Sequence, residues 1–104
     1  MSMIDAHCHL QDDRLNGRLP EIIACAKKAG VLHVVCCGTS QRDWQRVRTL
    51  SEQYPDLIVP SFGLHPWFIR DRSAGWLNEL ESLVRDTPAA VGEIGLDYAL
   101  EDFD

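Results

Sequence analysis

A parallel α/β fold with four strands and three helices is what this sequence predicts, and three observations predict it. Short apolar runs recur at residues 3–6, 31–37, 57–62 and 89–94. Segments with apolar residues at helical spacing separate them. The runs start about 30 residues apart, the length of a βαβ unit, and a parallel pair needs a crossover of that kind.

Each element has its own signal. The second run, VLHVVCC at residues 31–37, is almost unbroken and stops at Gly38, as a parallel strand buried on both faces does. The other three runs share its character. Pro20 suits a first helical turn, and Ile22, Ile23, Ala26 and Ala29 then form one stripe that Gly30 ends, with Lys27 and Lys28 at the negative end of the dipole. Ser40 followed by Asp43 reads as a capping box with the shorter acid, leading into Trp44, Val47, Leu50 and Tyr54 before Pro55 closes the segment. The third helix is expected to start after a Ser73 cap, to align Trp76, Leu77, Leu80, Leu83 and Val84, and to end before Pro88.

The chain has 104 residues, 45% of them hydrophobic, which allows one modest core and no second domain. No linker-like stretch and no repeat interrupts it. After the fourth run it stops without a helix, which reads as a cut chain. An open doubly wound sheet can finish near this length, whereas a closed eight-stranded barrel takes ~250 residues. No run approaches the ~18 apolar residues of a membrane span, and Asp5 and His7 stand where a signal peptide needs apolar residues, so a cytoplasmic protein without membrane contact is expected. Cys8, Cys25, Cys36 and Cys37 lack disulfide-framework spacing and are expected to be buried, reduced thiols. A net charge of −6 excludes a broad basic surface for nucleic acid, so any polyanion must be held locally, for which a bound divalent cation suffices.

The chemistry-bearing residues fall at strand ends. His7-Cys8-His9 follows the first run, and alternation aims the two imidazoles the same way, as ligands for a catalytic metal require. Alone an HxH is weak evidence, since a solvated turn gives the same pattern. Glu93 strengthens it. In VGEIGLD at residues 91–97 an unpaired carboxylate would cost several kcal/mol to bury, so it needs a cation or donors, either a metal or a rim arginine. Its flanking glycines leave room for a ligand or another backbone. His65, in GLHPW at residues 63–67, reaches the same end of the sheet and suits contact with a substrate, or else bonds its own turn. Asp5 is expected to anchor a neighbouring donor and Asp97 to orient one. His33 is read as a hydrogen-bonded core residue. Trp67 is a candidate for stacking on a base or sugar, although Trp44 and Trp76 are read as packing.

Taken together, IDAHCHL at residues 4–10, GLHP at 63–66 and GEIGLDY at 92–98 resemble, in order and spacing, the three N-terminal signature regions of TatD-type metal-dependent deoxyribonucleases. The last is the most specific, while HxH recurs across the wider amidohydrolase-like barrels. The resemblance implies that residues 1–104 are the N-terminal half of a single hydrolase domain, the first half of a TIM-like barrel. It implies one or two divalent ions (Mg2+, Mn2+ or Zn2+) held by His7, His9 and Glu93, with Glu93 the catalytic carboxylate, and DNA phosphodiester hydrolysis as the reaction. Later histidines and an aspartate of the family have no counterpart here, so weak metal binding and little activity of the chain by itself are expected. Two other readings stay open: an amidohydrolase-like enzyme for a small ester, lactone or amide, and a non-enzymatic half-barrel. Unpaired edges on the first and fourth strands are expected to promote self-association.

Overall fold

A computed structural model describes residues 1–100. Glu101, Asp102, Phe103 and Asp104, the end of the segment expected to run on without a helix, lie outside the described residues. The four strands are β1 (Met3–Cys8), β2 (Val31–Cys37), β3 (Ile58–Phe62) and β4 (Ala90–Val91), and the helices are α1 (Leu19–Lys28), α2 (Gln41–Gln53) and α3 (Trp76–Asp86). Two 3-10 segments that the periodicity did not reveal, Asp13–Arg18 and Pro66–Asp71, follow β1 and β3.

All pairings are parallel and the sheet order is β1-β2-β3-β4, the same as the chain order. Sequential parallel strands with helices between them form a partial TIM-type barrel. Register is regular from Val34↔Ile58 to Cys37↔Ser61, whereas β1 changes register between Asp5↔Val34 and Cys8↔Cys36. Three residues of β1 thus advance against two of β2, so the strand bulges where His7 lies.

The core lies under α2. Trp44, Val47, Leu50, Phe62 and Cys36 have no exposed surface, and Leu57, Ile58 and Val34 pack with them. Burying this cluster is the main source of cohesion, because each large apolar side chain removed from water contributes about 1.5–3 kcal/mol. The Trp44 indole N–H finds Gly63 O at 2.8 Å, so the ring is buried without an orphan donor. Ser40 begins α2 in the expected capping box, with Asp43 accepting from the Ser40 N–H at 3.3 Å.

Several expectations need correction. Burial of the strands on both faces holds only for part of the sheet: Met3, Ile4 and Val91 are exposed on outer strands with a neighbour on one side only, and Leu32 is exposed on β2 ahead of Val34, where the pairing with β3 begins. His33 is exposed on β2 rather than set in the core, since it pairs with Ile4 of the uncovered β1. Cys25 is exposed because it lies on the flank of α1 beside the Ile22–Ile23–Ala26 stripe, from which Ala29 also departs; Cys36 and Cys37 are buried and Cys8 half-buried. Ser73 does not cap α3. The helix starts from Gly75, and the Ser73 hydroxyl instead accepts from the Gln41 side-chain amide at 2.9 Å, which ties this loop to α2. Leu77 is exposed on α3, whose contact with the core runs through Leu83, Leu80 and Val84. β4 keeps only two residues in place of six, since the chain leaves the ladder at Gly92.

Candidate metal centre

β1 and β4 are the outermost strands, three spacings apart, so on a flat sheet their backbones would be separated by about 14 Å. Two features bring their residues together. The sheet curls, and the chain beyond β4 turns inward across the ends of its neighbours: the Gly92 N–H donates to Phe62 O at 2.9 Å and the Glu93 N–H to Gly38 O at 3.0 Å. Gly63 permits this crossing. A Cβ there would lie 2.5 Å from Glu93 O and 2.7 Å from the Gly92 carbonyl carbon, where no side chain fits. Of the glycines flanking Glu93, Gly92 lies against the Ser61 hydroxyl, and Gly95 serves its own backbone, with φ of +145°.

Glu93 consequently faces the imidazole pair. Its Oε2 is 3.1 Å from His9 Nε2, its Oε1 is 3.4 Å from His7 Nε2, and the two imidazole nitrogens are 3.3 Å apart. One ligand atom from each of the three residues lies within 4.8 Å of the other two. Ligands about 2.05 Å from a shared tetrahedral ion stand about 3.3 Å from one another, so the spacing suits a common cation. No arginine pairs with Glu93 among the described residues, whose ionic neighbours are His7, His9 and, at 3.8 Å, His65.

Supporting contacts set the tautomers. His9 Nδ1 stands 2.8 Å from Cys37 O, and only a protonated Nδ1 can donate there, which turns the Nε2 lone pair toward Glu93. His65 is the reverse. Its Nδ1 accepts from the Trp67 N–H at 3.1 Å, so its proton sits on Nε2, the nitrogen nearer Glu93. His65 therefore fits both readings made for it, bonding its own turn and facing the common cleft. Asp5 Oδ1 accepts from the His7 N–H at 3.1 Å and touches a candidate ligand through its backbone. Asp97 holds the Trp67 indole at 2.6 Å and contacts none of the three donors; the Ala99 N–H, then the Trp67 indole, hold its carboxyl below the usual range.

The site opens into a cleft of about 600 Å³ bordered by His9, Arg42, Arg46, His65, Trp67 and Glu93. Trp67 is 60% exposed there, unlike Trp44. Sequence reasoning missed Gln11, a buried amide that donates to Cys37 O at 2.8 Å and Asp43 Oδ2 at 3.0 Å and accepts from the Cys36 thiol. It thereby braces the carbonyl that orients His9. The available signal was its position, two residues beyond His9 at a strand mouth. Asp43 also does more than cap, accepting from the Thr39 hydroxyl at 2.7 Å. Burial, helped by the Glu93 charge, pushes the Cys37 thiol up, so it stays protonated beside the site.

Fold and site together define a class: an α/β barrel-type protein whose strand ends gather two imidazoles and a carboxylate at a spacing that suits a shared cation. Comparison narrows the class to a family. The chain belongs to the TatD related DNase family, whose model matches residues 4–104. It is similar to Deoxyribonuclease TATDN3 of Homo sapiens, at 28% identity over 108 residues covering 95% of this chain and 39% of that protein. The 3'-5' ssDNA/RNA exonuclease TatD of Edwardsiella piscicida is 32% identical over 99 residues, covering 93% and 38% respectively. An uncharacterized metal-dependent hydrolase, YjjV of Escherichia coli strain K12, is 34% identical over 102 residues, covering 95% and 39%. The chain thus spans about two fifths of the length of these relatives. No helix among the described residues is long and apolar enough to cross a membrane.

Proposed function

We propose that the protein is a metal-dependent hydrolase of DNA phosphodiester bonds, with His7, His9 and Glu93 holding a divalent cation, and that this chain forms the N-terminal half of the catalytic domain. The observation that carries the reading is the convergence of these three donors from two sheet margins to 3.1–3.4 Å. Membership of the family and relatives named as deoxyribonucleases or metal-dependent hydrolases support it. When bound, a divalent cation supplies positive charge that polarises a phosphoryl oxygen and acidifies water. His9 presents its Nε2 lone pair because its ring proton sits on Nδ1, which donates to Cys37 O. His65 directs an N–H into the cleft, where it donates to a phosphate oxygen, and Asp97 fixes the exposed Trp67 ring as a face for a base or sugar.

Mg2+, Mn2+ and Zn2+ all suit two imidazoles and a carboxylate, with graded preference. Calorimetric titration of the chain with Mn2+ or Zn2+ is expected to give one saturable but weak site. His7→Ala or Glu93→Ala should weaken it at least about tenfold; undiminished affinity in either variant would overturn the ligand assignment. With three donors, the chain alone is expected to show little or no nuclease turnover, and robust cleavage by the purified 104 residues would contradict that. Extending it with a downstream segment should yield metal-dependent turnover that His7→Ala abolishes. The exposed Met3 and Ile4 of β1 and Val91 of β4 support self-association through the sheet margins.

A further inference from the structure

Three arginines border the cleft, and they are not equivalent. Arg14 is committed to Asp12 by two bonds of 3.0 and 2.7 Å, and these side-chain bonds, with that from its backbone N–H, hold the carboxyl down at about 2. Arg46 reaches only the neutral Asn16 side chain, at 3.4 Å, and Arg42 makes no ion pair among the described residues. The acidic residues of the cleft are occupied elsewhere: Asp12 by Arg14, Asp13 by Asn16, Asp43 by Thr39, Ser40 and Gln11, and Glu93 by the imidazoles.

The rest of the chain shows how unusual this is. Arg18, Arg48 and Arg85 pair with Glu21, Glu52 and Glu81 on their own helices or at their entry, and Lys27 and Lys28 occupy the last turn of α1, where a helix favours cations. Arg42 lies in the first turn of α2, where the helix end is itself positive and disfavours it. Arg72 is held by the Ile69 carbonyl of its own turn, which leaves Arg42 and Arg46, on the wall of one cleft in a chain of net charge −6, with neither a carboxylate nor a backbone carbonyl as partner among the described residues. Arg42 and Arg46 are four positions apart in α2, so their stems rise from one helix face about 6 Å apart along the axis. That repeat is on the scale of successive phosphates in a strand, and guanidinium groups match phosphate oxygens with paired donors.

We propose that Arg42 and Arg46 clamp the phosphodiester backbone of a nucleic-acid strand lying in this cleft, on phosphates beside the one presented to the His7, His9 and Glu93 donors. This deepens the hydrolase reading and rests on it for the location of the scissile bond. It also selects the substrate class, because a small uncharged ester has no further phosphates for the pair to hold.

The test is fluorescence anisotropy of a fluorescein-labelled oligothymidylate with the full chain, in EDTA and across a salt series. The double variant Arg42→Gln/Arg46→Gln is expected to bind about tenfold more weakly at low salt, with a log–log salt slope shallower by about 1.4, as loss of two phosphate contacts to a single strand requires. Arg42→Lys/Arg46→Lys should keep the slope, since it keeps both charges, and it guards against a folding defect in the glutamine pair. Arg48→Gln, which lies outside the cleft and pairs with Glu52, should match wild type. The proposal is overturned if wild type shows no saturable binding, if the glutamine pair retains the wild-type slope, or if Arg48→Gln lowers it equally. Chelating the metal separates this result from the ligand assignment: failed cation binding by His7, His9 and Glu93 leaves the anisotropy comparison intact.

Discussion

β2 and β3, with α2 packed across them, contain the side chains that water does not reach at all, Trp44, Val47, Leu50, Phe62 and Cys36. β1 and β4, at the two margins of the same sheet, leave Met3, Ile4 and Val91 in water, yet their C-terminal ends and the residues just beyond carry the candidate donor set. The middle is held by packing, β1 by its parallel pairing with β2 from Met3 to Cys8, and the segment beyond β4 by a few backbone bonds, notably Glu93 N–H to Gly38 O. The difference teaches that cohesion and the candidate site have separate foundations here. A rigid centre supplies the carbonyls of Cys37, Gly38 and Phe62, and these hold the side chains and loop that arrive from the margins.

Substitutions at the two regions should therefore have different signatures. Trp44→Ala removes a fully buried ring and strands Gly63 O, and is expected to cost about 3–5 kcal/mol, enough to unfold a domain of this size under mild conditions. Urea denaturation measures this, and a loss below about 1 kcal/mol would show that the centre is not the main source of cohesion. Gly63→Ala sharpens the comparison, because the new methyl group would displace the Gly92–Glu93 backbone while leaving the core under α2 in place. Cation affinity should fall about 10–100-fold, as for the loss of a contact that orients a ligand, with a much smaller change in the urea midpoint. Unchanged cation affinity in that variant would mean that the close approach of the backbones does not position Glu93. The smallest effect is expected from Ile4→Lys at the open margin. Stability should change by no more than about 0.5 kcal/mol, while sedimentation should shift toward monomer; a wild-type chain already monomeric at high concentration would remove the margins as an association surface.

Much of this organisation was legible in the residues. The unbroken run of β2, the Ser40–Asp43 cap and the stripe of Trp44, Val47 and Leu50 encode their own structure locally, since each depends on neighbours a turn or less away. The same holds for His7 and His9, whose common direction follows from their spacing. Legibility failed where a partner distant in sequence decides the outcome. Ile4 and His33 carry the pattern of buried strand residues and are exposed, because burial depends on what covers a strand and not on its own sequence. Ser73 has the chemistry of a cap, but Gln41 competes for its hydroxyl from 32 residues away.

What the sequence alone determined is the alternation of strands and helices, the direction of the imidazole pair and the need of Glu93 for a partner. Tertiary structure decided which partner. Only the curl of the sheet and the crossing of the Gly92–Glu93 backbone over Gly63 bring the carboxylate from one margin to the imidazoles of the other, and only the fold brings Arg42, Arg46 and Trp67 into the cleft beside them. The physical reason is range: propensity and periodicity act over a few residues, whereas a site assembled from four strand ends depends on backbone contacts between segments dozens of residues apart.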